Sequence, residues 1–380
     1  MSPRLPYSSS VPTPRSARST SEFRPRRQRR RALNVAVLLL FVFLPLALLD
    51  SAASAVAPHT GGTAADPTAA TSRVAKTPKA ALRKAQVTTR QHGRFPNART
   101  TGVPARVTLK PYHGPCTITR DNTVIDSKRV TCGLDIRARH VVIRNSSLRT
   151  VWLDQDLMHA QGRAGWSVVV SRSSVNGGRT DGPGVCCGNY RVSHVEMRGG
   201  HNGAQCENGG RYCILKDSWI HAQYEPAGGQ RHLGGFLNDG GTPSTLIHNR
   251  ITCDARAEND EGGCSGDINL IPNFGVMAHV LVQNNYLGAN ANSAFCTYAG
   301  ATPGLAGYAS RSHHIVYKGN VFAKVDTIAH PAPGQPRHTS RCAAYGPVSG
   351  FDVGAPGNVW SGNHWDNGRA VVCNRRHRCD

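Results

Sequence analysis

Cysteine is missing from the first 115 residues of this 380-residue chain, and all twelve cysteines follow. No CxxC pair faces a second such pair, which argues against a tetrahedral structural zinc. Acidic residues are scarce, 23 against 45 Lys and Arg, for a formal charge of +22. No stretch spaces its apolar residues as a long amphipathic helix requires, so a helical bundle is excluded. There is also no recognisable nucleic-acid-binding module. Lys and Arg are scattered rather than striped along one helix, so the charge does not point to DNA or RNA as a partner. A basic surface still concentrates anionic partners, acidic polysaccharide among them.

The N-terminus reads as an export signal over residues 1–57. Residues 1–31 are rich in Pro, Ser and Arg and end in a basic run, residues 32–49 are apolar, and residues 50–57 hold two small-x-small patterns. Ala53-Ser54-Ala55 is the better cleavage pattern, because Ala55-Val56-Ala57 would leave Pro58 just after the break. An uncleaved signal would instead tether the protein, since 18 apolar residues nearly span a bilayer. Arg30-Arg31 is a weak hint of a twin-arginine signal. The segment 1–57 holds nine Arg against Glu22 and Asp50, so removing it leaves a charge of about +15. In an exported chain an even cysteine count implies disulfides. Short spacings suit Cys116 with Cys132, Cys206 with Cys213, Cys253 with Cys264 and Cys373 with Cys379, leaving Cys186, Cys187, Cys296 and Cys342 open. Residues 58–100 are Thr, Ala, Pro and Lys/Arg with few large apolar side chains. Such a stretch buries too little to offset chain entropy and reads as a disordered tether.

From residue 101 to 380 one form recurs: an apolar or β-branched pair, three polar or small residues, then another apolar residue. Examples are VIRNSSL, VVSRSSV, ILKDSWI, LIHNRI and VQNNYL. With Ile143, Val170, Val192, Leu215, Leu246, Val282, Tyr317 and Trp360 equivalent, the steps are 27, 22, 23, 31, 36, 35 and 43 residues. A minimum near 22, with short strands and polar corners, fits one coil of an all-β solenoid, the parallel β-helix, whose coils stack about 4.8 Å apart. In the last four repeats an Asn stands three residues after the equivalent position, as a stacked amide ladder requires. The growing steps predict long loops inserted at one point of the period, over one face, where ligands bind.

The blocks GFLNDGGTP, LIHNRITCD, GGCSGDINL, VLVQNNYLGAN, CTYAG and YGPVSGFDV resemble a group of exported actinobacterial right-handed parallel β-helix proteins of the pectin-lyase-like superfamily. That resemblance implies a right-handed coil and a class containing polysaccharide lyases, glycoside hydrolases and non-catalytic surface proteins. The hydrolase motifs of that class are incomplete here: Asn238-Asp239-Gly240 and Gly200-His201-Asn202-Gly203 are present, but Asp-Asp and Arg-Ile-Lys are not. The lyase elements Trp-Ile-Asp-His and Arg-x-Pro-x-x-Arg are absent as well.

Candidate chemistry gathers around QRHLGGFLNDGG, residues 230–241. β-Elimination on a uronic acid needs a cation for the carboxylate, for which Arg231 serves, and a base, for which His221 or His232 serves. Hydrolysis needs two carboxyl groups, and Glu225 with Asp239 form the nearest pair in sequence. Tyr224 is a candidate sugar platform and Asn238 a candidate substrate contact. The one dense acidic cluster, around Asp254, Asp260 and Asp267, could give Ca²⁺ hard oxygen ligands, although its spacing does not match an EF-hand loop. The expected protein is a secreted, monomeric β-helix acting on an acidic polysaccharide, by elimination sooner than hydrolysis. The rival expectation is a non-catalytic wall- or glycan-binding solenoid.

Overall fold

A computed structural model describes residues 94–160, 165–226, 229–255, 263–288, 290, 293–302, 307–324, 342–374 and 378–379. The export signal and most of the tether lie outside these residues.

Short strands built around Val, Ile and Leu alternate with polar corners, and each turn of chain places one strand in each of three sheets. Sheet A runs from Lys110–Pro111 to His364–Trp365, sheet B from Thr117–Ile118 to Arg378–Cys379, and sheet C from Val124–Asp126 to Val359–Ser361. Among the described residues they hold ten, ten and nine strands, and every pairing is parallel except the last one of sheet B. Among the described residues, helix is confined to Gln155–Ala160 and a 3-10 turn at Ala309–Arg311. The protein is therefore a parallel β-helix. Among the described residues no helix is long and apolar enough to cross a membrane.

Alternation along each strand sends one side chain inward per coil, and these inward residues stack in columns. The sheet C column is Ile143, Val170, Val192, Leu215, Leu246, Val282, Tyr317 and Trp360, all paired in register as their spacing predicts. Sheet A contributes Leu148, Val175, Met197, Ile220, Ile251, Leu287, Phe322 and Trp365. Sheet B contributes Val151, Val185, Ala204, Phe236, Ile268, Thr297 and Val348. Most are fully buried, and each large aliphatic or aromatic side chain contributes about 1.5–3 kcal/mol. Thr297 is the polar exception, and its hydroxyl meets Tyr317 Oη at 2.7 Å inside the core.

From Arg144 onward, two residues link each strand of sheet C to sheet A. The first has positive φ, between 43° and 66°, at Asn145, Arg172, His194, Asp217, His248, Asn284, Gly319 and Gly362. All of these except Arg172 are Asn, Asp, His or Gly, the types that tolerate this region. The second residue is buried and, in the later coils, is the predicted Asn. The backbone N and Nδ2 of Asn249 both donate to Asn285 Oδ1, at 2.8 and 2.9 Å. Asn285 does the same to Asn320, and Asn320 to Asn363. Nδ2 of Asn285 also donates to the Leu246 carbonyl at 2.9 Å. Ser146, Ser173 and Ser218 fill the equivalent place in earlier coils, accepting from backbone N–H groups.

The insertions do not enter at one point, as expected, but at two. The A-to-B corners carry residues 222–231, 252–262 and 323–345, and the B-to-C corners carry 153–167, 271–277, 300–312 and 350–358. Only C-to-A stays bare. Residues 94–100, assigned to the tether by composition, lie against sheet A. The Phe95 ring stands 5.4 Å from that of Tyr286, and His248 Nε2 donates to the Arg94 carbonyl at 2.9 Å. The folded region thus begins before residue 101. All four expected disulfides form, and the remaining cysteines pair as Cys186–Cys187 and Cys296–Cys342.

Candidate active site

Because loops flank both ends of its strands, the outer face of sheet B is the floor of a groove. Residues Gln205, Leu237, Asn269, Tyr298 and Ser349 share one outward row across successive coils. The strand His232–Asn238 lies at the centre of this floor. A cavity of about 360 Å³ opens on it, lined by His232, Leu237, Asp239, Ser265, Asn269, Ile271, Asn273 and Tyr298. The Gly pair inside that strand and the pair after it have separate reasons. A Cβ on Gly234 would collide with Asn269 and Asn202, whereas Gly240 and Gly241 turn the chain at φ +98° and +77°.

Asp239 leaves the floor at the B-to-C end, and Glu207 leaves the preceding coil at the matching place, after the pairing of Cys206 with Asn238. Gln205 bridges them, its Nε2 donating to Glu207 Oε1 at 3.1 Å and reaching Asp239 Oδ2 at 3.5 Å. The Gln205 amide is oriented by its other end, where Oε1 accepts from Asn202 Nδ2 at 3.2 Å. Burial raises the pKa of Asp239 to about 6, against a lowering contact from Asn273. Glu207 is raised to about 7 by burial first, then by the charges of Asp239, Asp156 and Asp154. His201 sits beside Gln205 with Nδ1 unpartnered, and burial lowers its pKa. The site therefore combines two carboxyl groups that titrate near neutrality with a neutral imidazole at its edge.

An acid whose folded pKa is raised holds its proton after the unfolded chain has lost it. Stability contributed by that protonated form therefore declines as pH rises through the interval. For Asp239 the interval runs from about 4, its unfolded value, to about 6. Asp239→Asn is expected to gain stability relative to the wild type across that interval and to keep a constant difference above it. Denaturant unfolding at pH 4, 5, 6 and 7.5 measures this.

The other candidates disperse. His221 lies on sheet A, not in the groove, stacked on Trp219 at 3.7 Å with Nε2 3.1 Å from Glu196 Oε1. Tyr224 stays at the A-to-B corner, 5.8 Å under the Arg179 guanidinium. Arg231 is held by Asp181, at 2.8 Å from its carboxylate and 3.0 Å from its carbonyl. Glu225 is buried, and its Oε1 accepts from the Arg231 backbone N at 3.3 Å. The strand His232–Asn238 separates Glu225 from Asp239, about 3.3 Å per residue, so these two are not a pair. Asn238 is fully buried and structural. Its Nδ2 donates to Thr242 and Ser244, and its Oδ1 accepts from Gly240 N. Of the expected residues, His232 and Asp239 reach the cavity.

Of the three calcium candidates, Asp254 and Asp267 each have one carboxylate oxygen bonded to a backbone N–H. Asp254 Oδ1 accepts from Ala222 N, and Asp267 Oδ1 accepts from Cys253 N at 2.7 Å. Burial raises both pKa values, that of Asp267 well above the ordinary range. Asp260 lies outside the described residues. Cys186, Cys187 and Glu207 form the one close ligand-type group found by proximity among the described residues, and a disulfide occupies both sulfurs.

Sequence reasoning missed Glu207. It stands in a polar turn without a motif, but adding the coil step would have found it: Glu207 and Asp239 are 32 residues apart, and Leu215 and Leu246 are 31. Comparisons with family models, with curated proteins and with solved structures each return no match.

Proposed function

We propose that this protein is an exported, polysaccharide-active β-helix that binds a glycan along the outer face of sheet B and cleaves it there. The carrying observation is the Glu207–Asp239 pair, bridged by one amide, with raised pKa values of about 7 and about 6. Hydrolysis of a glycosidic bond needs one protonated carboxyl to meet the leaving oxygen and one ionised carboxylate to activate water or attack the sugar. Glu207 takes the first role and Asp239 the second. Elimination, the mechanism expected from the sequence, has less support. Arg231, its proposed cation, is paired with Asp181, and of its two expected bases His221 is on another sheet while His232 lines the cavity.

Tyr298 in the cavity and the 64 % exposed Phe274 beside Asn273 offer flat faces to sugar rings. His232 offers a polar edge. Phe295 continues the aromatic run toward exposed Tyr345, with ring centroids 5.3 Å from Tyr298 and 5.8 Å from Tyr345. Six disulfides and the N-terminal signal support export, and the basic surface favours an acidic glycan.

The test is incubation with a panel of neutral and acidic polysaccharides, following reducing ends and unsaturated-uronate absorbance in parallel. New reducing ends without the chromophore support hydrolysis. The chromophore establishes elimination instead, and retention of an intact polysaccharide identifies a binder. The rate is expected to be bell-shaped in pH, with limbs near 6 and 7 that belong to the coupled pair.

A further inference from the structure

The coil itself sets the distance between the two carboxyl groups. Glu207 and Asp239 stand one residue beyond the paired Cys206 and Asn238, so their backbones lie on adjacent coils about 4.8 Å apart. Backbone bonds hold both places, Asp239 N donating to the Cys206 carbonyl at 3.1 Å and Glu207 N to the Cys187 carbonyl at 2.7 Å. The side chains share one donor atom, since Gln205 Nε2 has Glu207 Oε1 at 3.1 Å and Asp239 Oδ2 at 3.5 Å. An amide nitrogen aims its two hydrogens about 120° apart, which sets those acceptor oxygens roughly 5–6 Å from each other. Even in a straight line through the nitrogen, their separation is no more than the two distances end to end. The amide is not free to widen this gap, because its Oε1 accepts from Asn202 Nδ2 at 3.2 Å and Asn202 is fully buried.

That separation decides between two courses of glycoside hydrolysis. Carboxyl groups about 6.5–9.5 Å apart leave room for a water between base and sugar, and the anomeric configuration inverts. At about 5–5.5 Å the carboxylate attacks the sugar directly, and the configuration is retained.

We propose that cleavage runs by double displacement through a glycosyl ester of Asp239, and that the protein therefore also transfers glycosyl units to alcohol acceptors. The inference rests on the hydrolytic reading above. In the first step an Asp239 carboxylate oxygen bonds to the anomeric carbon. The glycosidic bond breaks with its electron pair on the leaving oxygen, which takes the Glu207 proton. In the second step water oxygen bonds to the anomeric carbon, its proton passes to the Glu207 carboxylate, and the ester bond to Asp239 breaks. Two inversions restore the starting configuration. An alcohol in place of water gives a glycoside by the same step.

The test follows anomeric proton signals by NMR while polygalacturonate, xylan and β-glucan, as acidic and neutral members of the panel, are cleaved with and without methanol. The first reducing sugar is expected in the configuration of the bond cut, and methanol is expected to yield a methyl glycoside of that same configuration. Asp239→Ala keeps the acid but cannot form the ester. It is expected to lose cleavage, to regain it with azide, and to release a glycosyl azide of opposite configuration. A first product of opposite configuration without methyl glycoside overturns double displacement and leaves hydrolysis standing. No new reducing ends from any polysaccharide, or unsaturated-uronate absorbance in their place, removes hydrolysis and this inference together.

Discussion

Under the proposed hydrolytic function, Glu207→Gln and Asp239→Asn are each expected to lower the rate of glycan cleavage by about 10²- to 10⁴-fold, the range lost when a positioned acid or base is removed. Both substitutions are nearly isosteric, and both carboxyl groups are held near Gln205, so the amides fit where the acids were. The loss is therefore expected in kcat, with KM changed little, since the sugar contacts proposed for Tyr298, Phe274 and His232 remain. The double variant is no worse than the poorer single one, because the two groups act as a unit. His232→Ala, which removes a polar contact and no reacting group, raises KM instead. Measured kcat and KM for the four variants decide the assignment. A Glu207→Gln enzyme within tenfold of wild type would move the chemistry elsewhere in the groove. Asp239→Asn should meanwhile be more stable than wild type at neutral pH, because it removes a buried carboxyl that resists ionisation.

Asn285→Ala destabilises the fold by about 3–5 kcal/mol, since it strands several buried groups at about 1–3 kcal/mol each before relaxation. The backbone N and Nδ2 of Asn249 lose their common acceptor, and the Leu246 carbonyl loses its donor. All are buried, so leaving them unpaired carries a desolvation cost. Asn285→Ser costs less, because Ser already serves as the acceptor at Ser146, Ser173 and Ser218. Urea unfolding of the two variants against wild type measures the difference. Equal loss in both would mean that the cavity, not the ladder, sets the cost.

The coil was readable in the residues because two constraints act on it locally. An inward position must be apolar, and the two-residue corner holds the next inward position five residues on, so Ile143 announces Leu148 and Val282 announces Leu287. The Asn rungs were visible for the same reason, whereas Ser146 and Ser218 in the same place were not, because Ser is common at any polar corner. The split of insertions between two corners was hidden, since the step from Leu215 to Leu246 reports only their combined length. The site was half legible. Asp239 and His232 share one strand and its turn, so proximity in sequence reached them. Glu207 joins them through the stacking of coils, a contact with no local signature. Tyr224, Arg231 and Glu225 were drawn in by closeness to His232 along the chain, but one extended strand carries position far in few residues.

The bare corner between sheets C and A limits how this molecule can change length. One residue added between Asn284 and Tyr286 would turn Leu287 to solvent and break the rung at Asn285, so gene-level insertions there should be purged. A tandem copy of an entire coil meets no such penalty. The 22 residues from one inward position at Val170 to the next at Val192 would add three strands and one rung in register. Lineages of such a chain should therefore lengthen their core in whole coils, while diversity residue by residue collects on the two walls of the groove.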